Sequence, residues 1–564
     1  MAYIEKKKIK GHNYFYLKES KRIQGKVKTK TIAYLGKTKK QAQEKLKQLQ
    51  TKKHKQQIPK CIPFTYEDIL ELASRRSLFY PSAEIYTNAP AGFWNFGPYG
   101  TSIRRKIIQL WRKELVEKED MIEIYGSQIL PEEVFQASGH LKSLVDPIIR
   151  CKKCKLIYRA DKLLSTKLNK LIPESISEKE FDELIQKNKI KCPKCNSELS
   201  KTKKVSLMVE TKIGISNPKQ CYLRPEACQS IFLDFLRMSK TMRLILPKGI
   251  AQVGRAFRNE ISPRQSLFRE IEFSQFEIEI FFNPKKINEI NNFNEIKNYK
   301  LRILRTNKNK VEEISAQDLV NKKIVSGKLI AYYLARTQQL YEKYGIQKEN
   351  IRFREVSKEE KPFYSKETFD LEVLTKLGWI ELVACNYRTD YDLKVHSKGS
   401  KQDLTFTEDN KKFTPHIFEI SAGVDRTFYA IIDNAFKKEI VEGRKRIILS
   451  LNPKLSPYDT ALFPLVNKKG LPEKAKEILK ELRNSNFTVF YDAKDSIGRR
   501  YRRCEEVGIS NAITIDFQTL KDNTVTLRDS TTMKQIRIKI NKLKDKITKF
   551  LEGKPIKELG KIIN

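Results

Sequence analysis

The stretch from Gly254 to Glu279, GRAFRNEISPRQSLFREIEFSQFEIE, gathers residue types that could do chemistry together. Arg258, Glu260, Arg269, Glu277 and Glu279 recur in it around a polar turn at Ser262, Pro263, Arg264 and Gln265. Ile271 and Phe273 alternate with polar residues, and after a one-residue slip Phe276, Ile278 and Ile280 alternate again. Period-2 alternation predicts a strand with one buried and one working face, and the slip is a candidate bulge. With a partner strand before the turn, the stretch reads as an antiparallel hairpin that points these charges into one space. Arginines mixed with carboxylates on a rigid surface suit a substrate carrying phosphates, a metal ion and an amine. The plainer reading is a solvated strand face whose charges merely pair.

Three other sites carry chemistry by residue type. Cys151 and Cys154 (CKKC) and Cys192 and Cys195 (CPKC) form two C-x-x-C knuckles, the spacing that lets four thiolates enclose a tetrahedral zinc. The alternative, less favoured in a reducing compartment, is two unoccupied or vestigial knuckles. The segment between them is longer than in compact zinc ribbons, so it should hold an inserted helical piece. SAGVDR, at 421–426, predicts a strand end, a close-packed Gly423 and a helix opening at Asp425 and Arg426, a favourable phosphate site. GRRYRR, Gly498 to Arg503, is a basic patch with an aromatic inside it, suited to RNA or simply a solvated helix start.

The elements that must position these residues follow from the patterning. Residues 1 to about 37 read as short strands punctuated by Gly11, Gly25 and Gly36, then a Lys/Gln-rich helix from Thr38 to about Gln57. This very basic front segment could touch RNA or be a solvated appendage, and Ile58–Pro63 reads as a linker. A Gly/Pro/aromatic turn at Gly92 to Gly100 precedes a helix with Ile103, Ile107, Leu110, Trp111 and Leu115 on one side, a stripe for core or subunit interface. Residues 284–367 look like an insertion with helices such as Ala331 to Tyr344. From about Arg446, RIILSL, DTALFPLV and FTVFYD alternate with helices as a compact α/β domain.

Bulk properties bound the answer. The chain has 564 residues, which predicts two to four domains. Lys plus Arg number 111 against 68 Asp plus Glu, a formal charge of +43 that points to a polyanion, nucleic acid ahead of membrane. No run of about 18 apolar residues predicts a spanning helix. The first residues look like neither a secretion signal nor a transit peptide. Nine cysteines in a chain this long do not make a disulfide scaffold, so the expected compartment is the cytoplasm.

Together these segments resemble the class II aminoacyl-tRNA synthetases, and within them the glycyl-tRNA synthetase family of homodimeric type. FRNEISPRQSLFREIEF is similar to motif 2, GVDRTFYAII to motif 3, and the GPYG-plus-helix segment to motif 1. EEVFQASGHLKSLVDP, CKKCKLIYRAD, YLRPEACQ, GWIELVACNYRTDYDL and EISAGVDR resemble glycine-enzyme signatures in the family's order, and IGRRYRR with VTLRDSTTMKQIRI resembles its anticodon-binding domain. The resemblance covers roughly residues 64 to 545.

It implies an α+β fold: an antiparallel-sheet catalytic core with a zinc-ribbon-like insertion, a C-terminal α/β anticodon-binding domain and a small basic N-terminal appendage. The expected division is 1–60 for the appendage, 61–445 for the catalytic domain with insertions at about 151–200 and 284–367, and 446–564 for anticodon binding. The implied reaction is glycine activation by ATP with Mg²⁺ and transfer of glycine to tRNA(Gly), by a homodimer away from membranes. Arg258, Glu260, Arg269 and Arg426 are the implied catalytic residues. They bind ATP with Asn259, Phe268, Phe273, Glu381, Leu382, Gly423 and Asp425, Glu381 also holding Mg²⁺. Arg159, Glu226, Phe273, Gln275, Glu277, Glu419, Ser421 and Gly423 are implied for glycine. Arg499, Arg500, Arg502 and Arg503 are implied for tRNA, and the four cysteines for structural zinc.

The chain departs from the family pattern at Ala227, Ser230, Glu270, Ile271 and Ile420. The alternative reading is a catalytically impaired tRNA- or RNA-binding paralogue. Retention of Arg258, Arg269, Phe273, Glu381 and Arg426 favours activity.

Overall fold

The computed structural model describes every residue except 1, 10–11, 24–25, 46–59, 171, 174–175, 262, 264 and 564. Ser262 and Arg264 of the expected turn, Gly11 and Gly25, and the helix beyond residue 45 lie outside the described residues. The chain divides into two compact units, Met1–Phe64 with Lys437–Ile447, and Thr65–Phe436 with Ile448–Asn564.

In the larger unit a nine-stranded sheet carries the site. In chain order its strands are β1 (Ile122–Glu123), β2 (Lys248–Phe257), β3 (Glu272–Phe282), β4 (Lys300–Leu304), β5 (Val311–Ser315), β6 (Ile351–Glu355), β7 (Glu367–Thr375), β8 (Gly378–Thr389) and β9 (His416–Gly423). Their spatial order is β5-β4-β6-β7-β8-β9-β3-β2-β1. The strands from β6 to β2 pair antiparallel throughout. The expected 284–367 insertion therefore does more than add helices. Its strands β4, β5 and β6 extend the same sheet, while its helix α3 (Lys328–Lys343) is buried along most of its length.

The expected bulge in the hairpin is absent: β2 and β3 keep one register from Lys248↔Phe281 to Phe257↔Glu272. The slip in the alternation has another cause. Phe273 sits on the face that carries Gln275, Glu277 and Glu279, an aromatic at the end of a polar run, whereas Phe276, Ile278 and Ile280 fill the opposite, buried face, so the apolar pattern changes phase without the backbone doing so. Phe276 on one face stacks on Trp111 of α1 (Pro98–Trp111), ring centroids 4.9 Å apart. Ile103, Ile107, Leu110, Trp111 and Leu115 of the predicted stripe are all buried in this chain's core. On the other face Phe281 stacks on Phe235 of α2 (Gln229–Thr241), 4.2 Å apart.

The C-terminal part is a five-stranded sheet of β10 (Thr460–Pro464), β11 (Val489–Tyr491), β12 (Asn511–Ile515), β13 (Thr524–Asp529) and β14 (Gln535–Lys539), in the order β11-β10-β12-β13-β14. Its core gathers Leu462, Ile513, Ile515 and Leu527 with Ile478 and Leu482 of an amphipathic helix, Leu471–Asn484. RIILSL does not join this sheet as expected. The strand Arg444–Leu449 forms a three-stranded sheet with Phe436–Val441 and Lys60–Cys61.

The smaller unit holds a three-stranded antiparallel sheet, Ala2–Ile9, His12–Ile23 and Lys26–Gly36, followed by helical residues 39–45. The expected Ile58–Pro63 linker is in part a strand, since Cys61 and Lys60 pair with Glu439 and Ile440. That pairing explains why residues 437–447 cluster with the front segment and not with the catalytic core.

Candidate active site

The register of the central strands builds the floor of the site. Gln275, Glu277 and Glu279 alternate along one face of β3, and Gly423, Ser421 and Glu419 of β9 stand opposite them in turn. Ala384 and Asn386 of β8 stand opposite Ser421 and Glu419. Phe273, two residues before Gln275, belongs to the same face, opposite in phase to Phe276, Ile278 and Ile280.

A cavity lies over this floor. Arg258, Glu260, Phe268, Arg269, Phe273, Glu381, Leu382, Gly423, Asp425 and Arg426 line one part of it, and Glu226, Gln275, Tyr364, Asn386, Glu419 and Ser421 another. The first part is cationic, with each cation held by the fold. Arg258 Nε donates to the Pro225 carbonyl at 3.1 Å, and its guanidinium lies 5.6 Å from the Phe273 ring centroid. Arg426 Nε donates to the Phe268 carbonyl at 3.0 Å. Arg426 sits in the first turn of α4 (Val424–Ala435), whose N-cap is Gly423. Burial lowers the Arg426 pKa, the nearby Arg258 adds to this, and the Glu381 carboxylate opposes it. Arg269 Nε is 3.4 Å from Glu260. Asp425 is already engaged, accepting from Arg104 at 2.7 Å and from the Ser274 backbone at 2.8 Å.

The second part is lined and floored by buried carboxyl groups. Glu277 and Glu279 are buried beneath the cavity, and burial first, then the Glu419 charge, raises both pKa values well above the usual carboxyl range. Glu277 Oε1 accepts from Ser421 Oγ at 2.9 Å. Its other oxygen and both oxygens of Glu279 have no hydrogen-bond partner among the described residues. Glu419 is held by Arg388 Nη1 at 2.8 Å and Asn386 at 2.5 Å. Burial alone would raise the Glu226 pKa, but His140, 3.0 Å away, and Arg388 bring it well below the usual range. A cationic end and a carboxylate-lined end within one cavity suit a small zwitterion presented to a polyphosphate.

Two matches to known domains cover these regions. The tRNA synthetase class II core domain (G, H, P, S and T) matches residues 209–435, and the anticodon binding domain matches 459–550. The glycine–tRNA ligase of Methanothrix thermoacetophila is 36% identical over 565 residues, 86% of this chain and 97% of its own. That of Pyrococcus horikoshii is 36% identical over 86% of this chain and 99% of its own, and that of Aeropyrum pernix 34% over 88% and 98%. The chain belongs to the glycine–tRNA ligase family. Residues 4–60 match something else, the N-terminal domain of the IS1634 family transposases.

Not every residue expected of a glycine–tRNA ligase sits at the cavity. Arg159 is in a separate small sheet, its guanidinium taken by Asp146 at 2.9 Å and Asp161 at 2.8 Å, so it does not line the site. Asn259 also lies off the cavity wall, and Glu277 lies under it, not on it. In the anticodon-binding region Arg500 is a correction: its side chain is buried and donates to the carbonyls of Pro464, Asp492 and Leu465, so it cannot face RNA. Arg503 pairs with Asp492 and Asp495, and Arg502 with Glu505. Arg499, with 75% of its side chain exposed, points outward most freely of the four.

Arg388, Asn386 and Tyr364 are not among the residues expected at the site, and Glu270 is expected only as a departure from the family pattern. Arg388 is wholly buried, clamps Asp392 and Glu419, and stacks 3.9 Å from the Tyr364 ring centroid. The signal for it existed: Asn386 and Arg388 are two residues apart on a strand, and Asp392 follows at the next helix. Tyr364 comes from a loop with no signal of its own. Glu270 lines the cavity, and burial followed by the Asp425 charge raises its pKa well above the usual range.

The four cysteine sulfurs converge, with Sγ···Sγ distances of 3.4 Å for Cys151–Cys195 and 3.6 Å for Cys154–Cys192. Tetrahedral zinc with bonds of about 2.3 Å needs sulfurs about 3.8 Å apart, so this set fits the ion. Between the knuckles, helices Ala160–Leu168 and Glu178–Lys187 pack around Leu164 and Phe181.

Proposed function

We propose that this chain is an ATP-dependent glycine–tRNA ligase. A glycine carboxylate oxygen attacks the α-phosphorus of ATP, the bond to the β-phosphate bridge breaks, and pyrophosphate leaves. The 3′-terminal ribose hydroxyl of tRNA(Gly) then attacks the glycyl carbonyl, and AMP leaves. The observation that carries this reading is the junction within one cavity of an arginine-lined end and a carboxylate-lined end, in a chain of this family.

Arg258 and Arg426 are read as holding the phosphates about the reacting phosphorus, where negative charge builds in the transition state. Arg269, beside Glu260, takes the outer phosphates, and Phe273 with Phe268 and Leu382 receives the adenine. Glu381 would hold Mg²⁺, which favours one or two carboxylates plus phosphate oxygens and would supply charge neutralisation there. Glu226 and Glu419, over Glu277, receive the ammonium of glycine. Ser421, Gln275 and Gly423 wall the space in which a larger side chain would clash, so discrimination works by exclusion. Cys151, Cys154, Cys192 and Cys195 would hold a structural zinc ion. The outward Arg499 is read as the tRNA contact of its patch. The similarity of the GPYG-plus-helix segment to motif 1 supports a homodimer, and the role in translation a cytoplasmic setting.

The test is charging of a tRNA(Gly) transcript. Purified protein with ATP and Mg²⁺ is expected to link radiolabelled glycine to the 3′ end. Tight tRNA binding without any charging would instead favour the impaired paralogue.

A further inference from the structure

The residues that line the cavity all belong to the larger unit, and the smaller unit has a surface with chemistry of its own. The first 60 residues carry 19 Lys and Arg against three Glu, so a large share of the chain's +43 is concentrated there. Three tyrosines form a row on one face of its sheet. Tyr34 stands between Tyr14 and Tyr16, at ring-centroid distances of 6.3 Å and 5.4 Å. Register places Tyr34 opposite Tyr16 and Lys7 opposite Tyr14, so Lys7 borders the row on the same face. Lysine ammoniums cover two of the rings: Lys37 Nζ is 5.8 Å from the Tyr14 centroid and Lys45 Nζ 5.7 Å from that of Tyr34.

This row is not the unit's core. Among the described residues of the segment Leu35 and Ala42 are the buried apolar ones, at 0% and 1% exposure, whereas Tyr34 is 40% exposed. Phe15, Leu17 and Ala33 alternate onto the opposite face. Glu5, opposite Tyr16, pairs with Lys7 and Lys18, while lysines lie beside the rings of Tyr14 and Tyr34. Rings and cations on one strand face offer base stacking and phosphate contact side by side. Rings can stack only on bases that are free of a partner strand, which favours single-stranded RNA over duplex DNA.

We propose that the Tyr14–Tyr34–Tyr16 row, with Lys7, Lys37 and Lys45, is a second RNA-binding surface that takes unpaired nucleotides. It is independent of the synthetic site.

The test uses the full chain and a fluorescent oligouridylate of about 15 nucleotides, a length near the usual span of such platforms. The variant Lys7→Ala/Lys37→Ala/Lys45→Ala is expected to bind about tenfold more weakly. The slope of log affinity against log salt should fall by about 2, from three lost phosphate contacts at about 0.7 each. Tyr34→Ala should weaken binding about tenfold with the slope unchanged, and Tyr34→Phe should restore it. Glycine-dependent pyrophosphate exchange should stay at the wild-type rate in all three. Wild-type affinity and slope in the lysine variant would overturn the proposal. So would a DNA duplex of the same length binding more tightly than the oligouridylate and weakening in the same variants.

Discussion

At the residue scale the most telling group is Glu279. It is fully buried, its two oxygens lack hydrogen-bond partners among the described residues, and it faces Glu277, Glu419, Asp392 and Cys228 with Arg388 as the nearby cation. A carboxyl whose folded pKa is raised binds more protons folded than unfolded, so its stability contribution is intact below the unfolded value of about 4.3. That contribution is lost as pH rises through the folded value. Glu279→Gln keeps the shape and removes the titration. The thermal midpoint of the ligand-free variant, followed from pH 5 to pH 8, is expected to fall less than that of the wild type. Parallel midpoint curves for the two proteins would contradict the assignment. The same cluster explains what an ammonium ligand contributes, since a cation placed among these carboxyls opposes the burial and the mutual repulsion that raise their pKa values.

At the scale of elements, the hairpin shows how close packing fixes a glycine. A Cβ on Gly254 would lie 2.0 Å from Arg224 Nη2. Arg224 cannot swing aside: it is wholly buried and donates to the Arg255 and Gly126 carbonyls and to Gln252. Gly254→Ala is therefore expected to destabilise the chain by about 1–3 kcal/mol, read from urea denaturation. The hairpin itself was legible from period-2 alternation. Its expected bulge is absent because Phe273 is an aromatic on the cavity-lining face that carries Gln275, Glu277 and Glu279, and mimics a change of phase. The helix stripe from Ile103 to Leu115 and the helix at Arg426 were legible from 3.6-residue periodicity and a Gly-Val-Asp-Arg start. β4 to β6 were not, since each is only five residues long and mixes charged with apolar side chains. The departure at Ser230 is accommodated against Gly126, and Arg224 donates to its hydroxyl at 3.4 Å.

At the scale of the molecule, the catalytic and anticodon-binding parts are tied by named contacts. Lys106 pairs with Asp459 at 2.8 Å, Ser102 donates to the Pro457 carbonyl, and Arg75 and Arg76 both reach Glu506. A basic run in the sequence could not say which of its arginines serve the fold. Burial says it: Arg500 braces backbone carbonyls and Arg499 reaches outward. Arg499→Glu is expected to raise the KM for tRNA several-fold with pyrophosphate exchange unchanged, whereas Arg500→Ala should lower the thermal midpoint. The reverse pattern would contradict this division of roles.

That a single cavity activates glycine with ATP is tested most directly by pyrophosphate exchange measured with glycine, alanine and serine. Exchange is expected with glycine alone, and Arg258→Ala should reduce it about 100-fold or more at an unchanged circular dichroism spectrum. Exchange that is equal for the three amino acids, or undiminished in Arg258→Ala, would contradict the account.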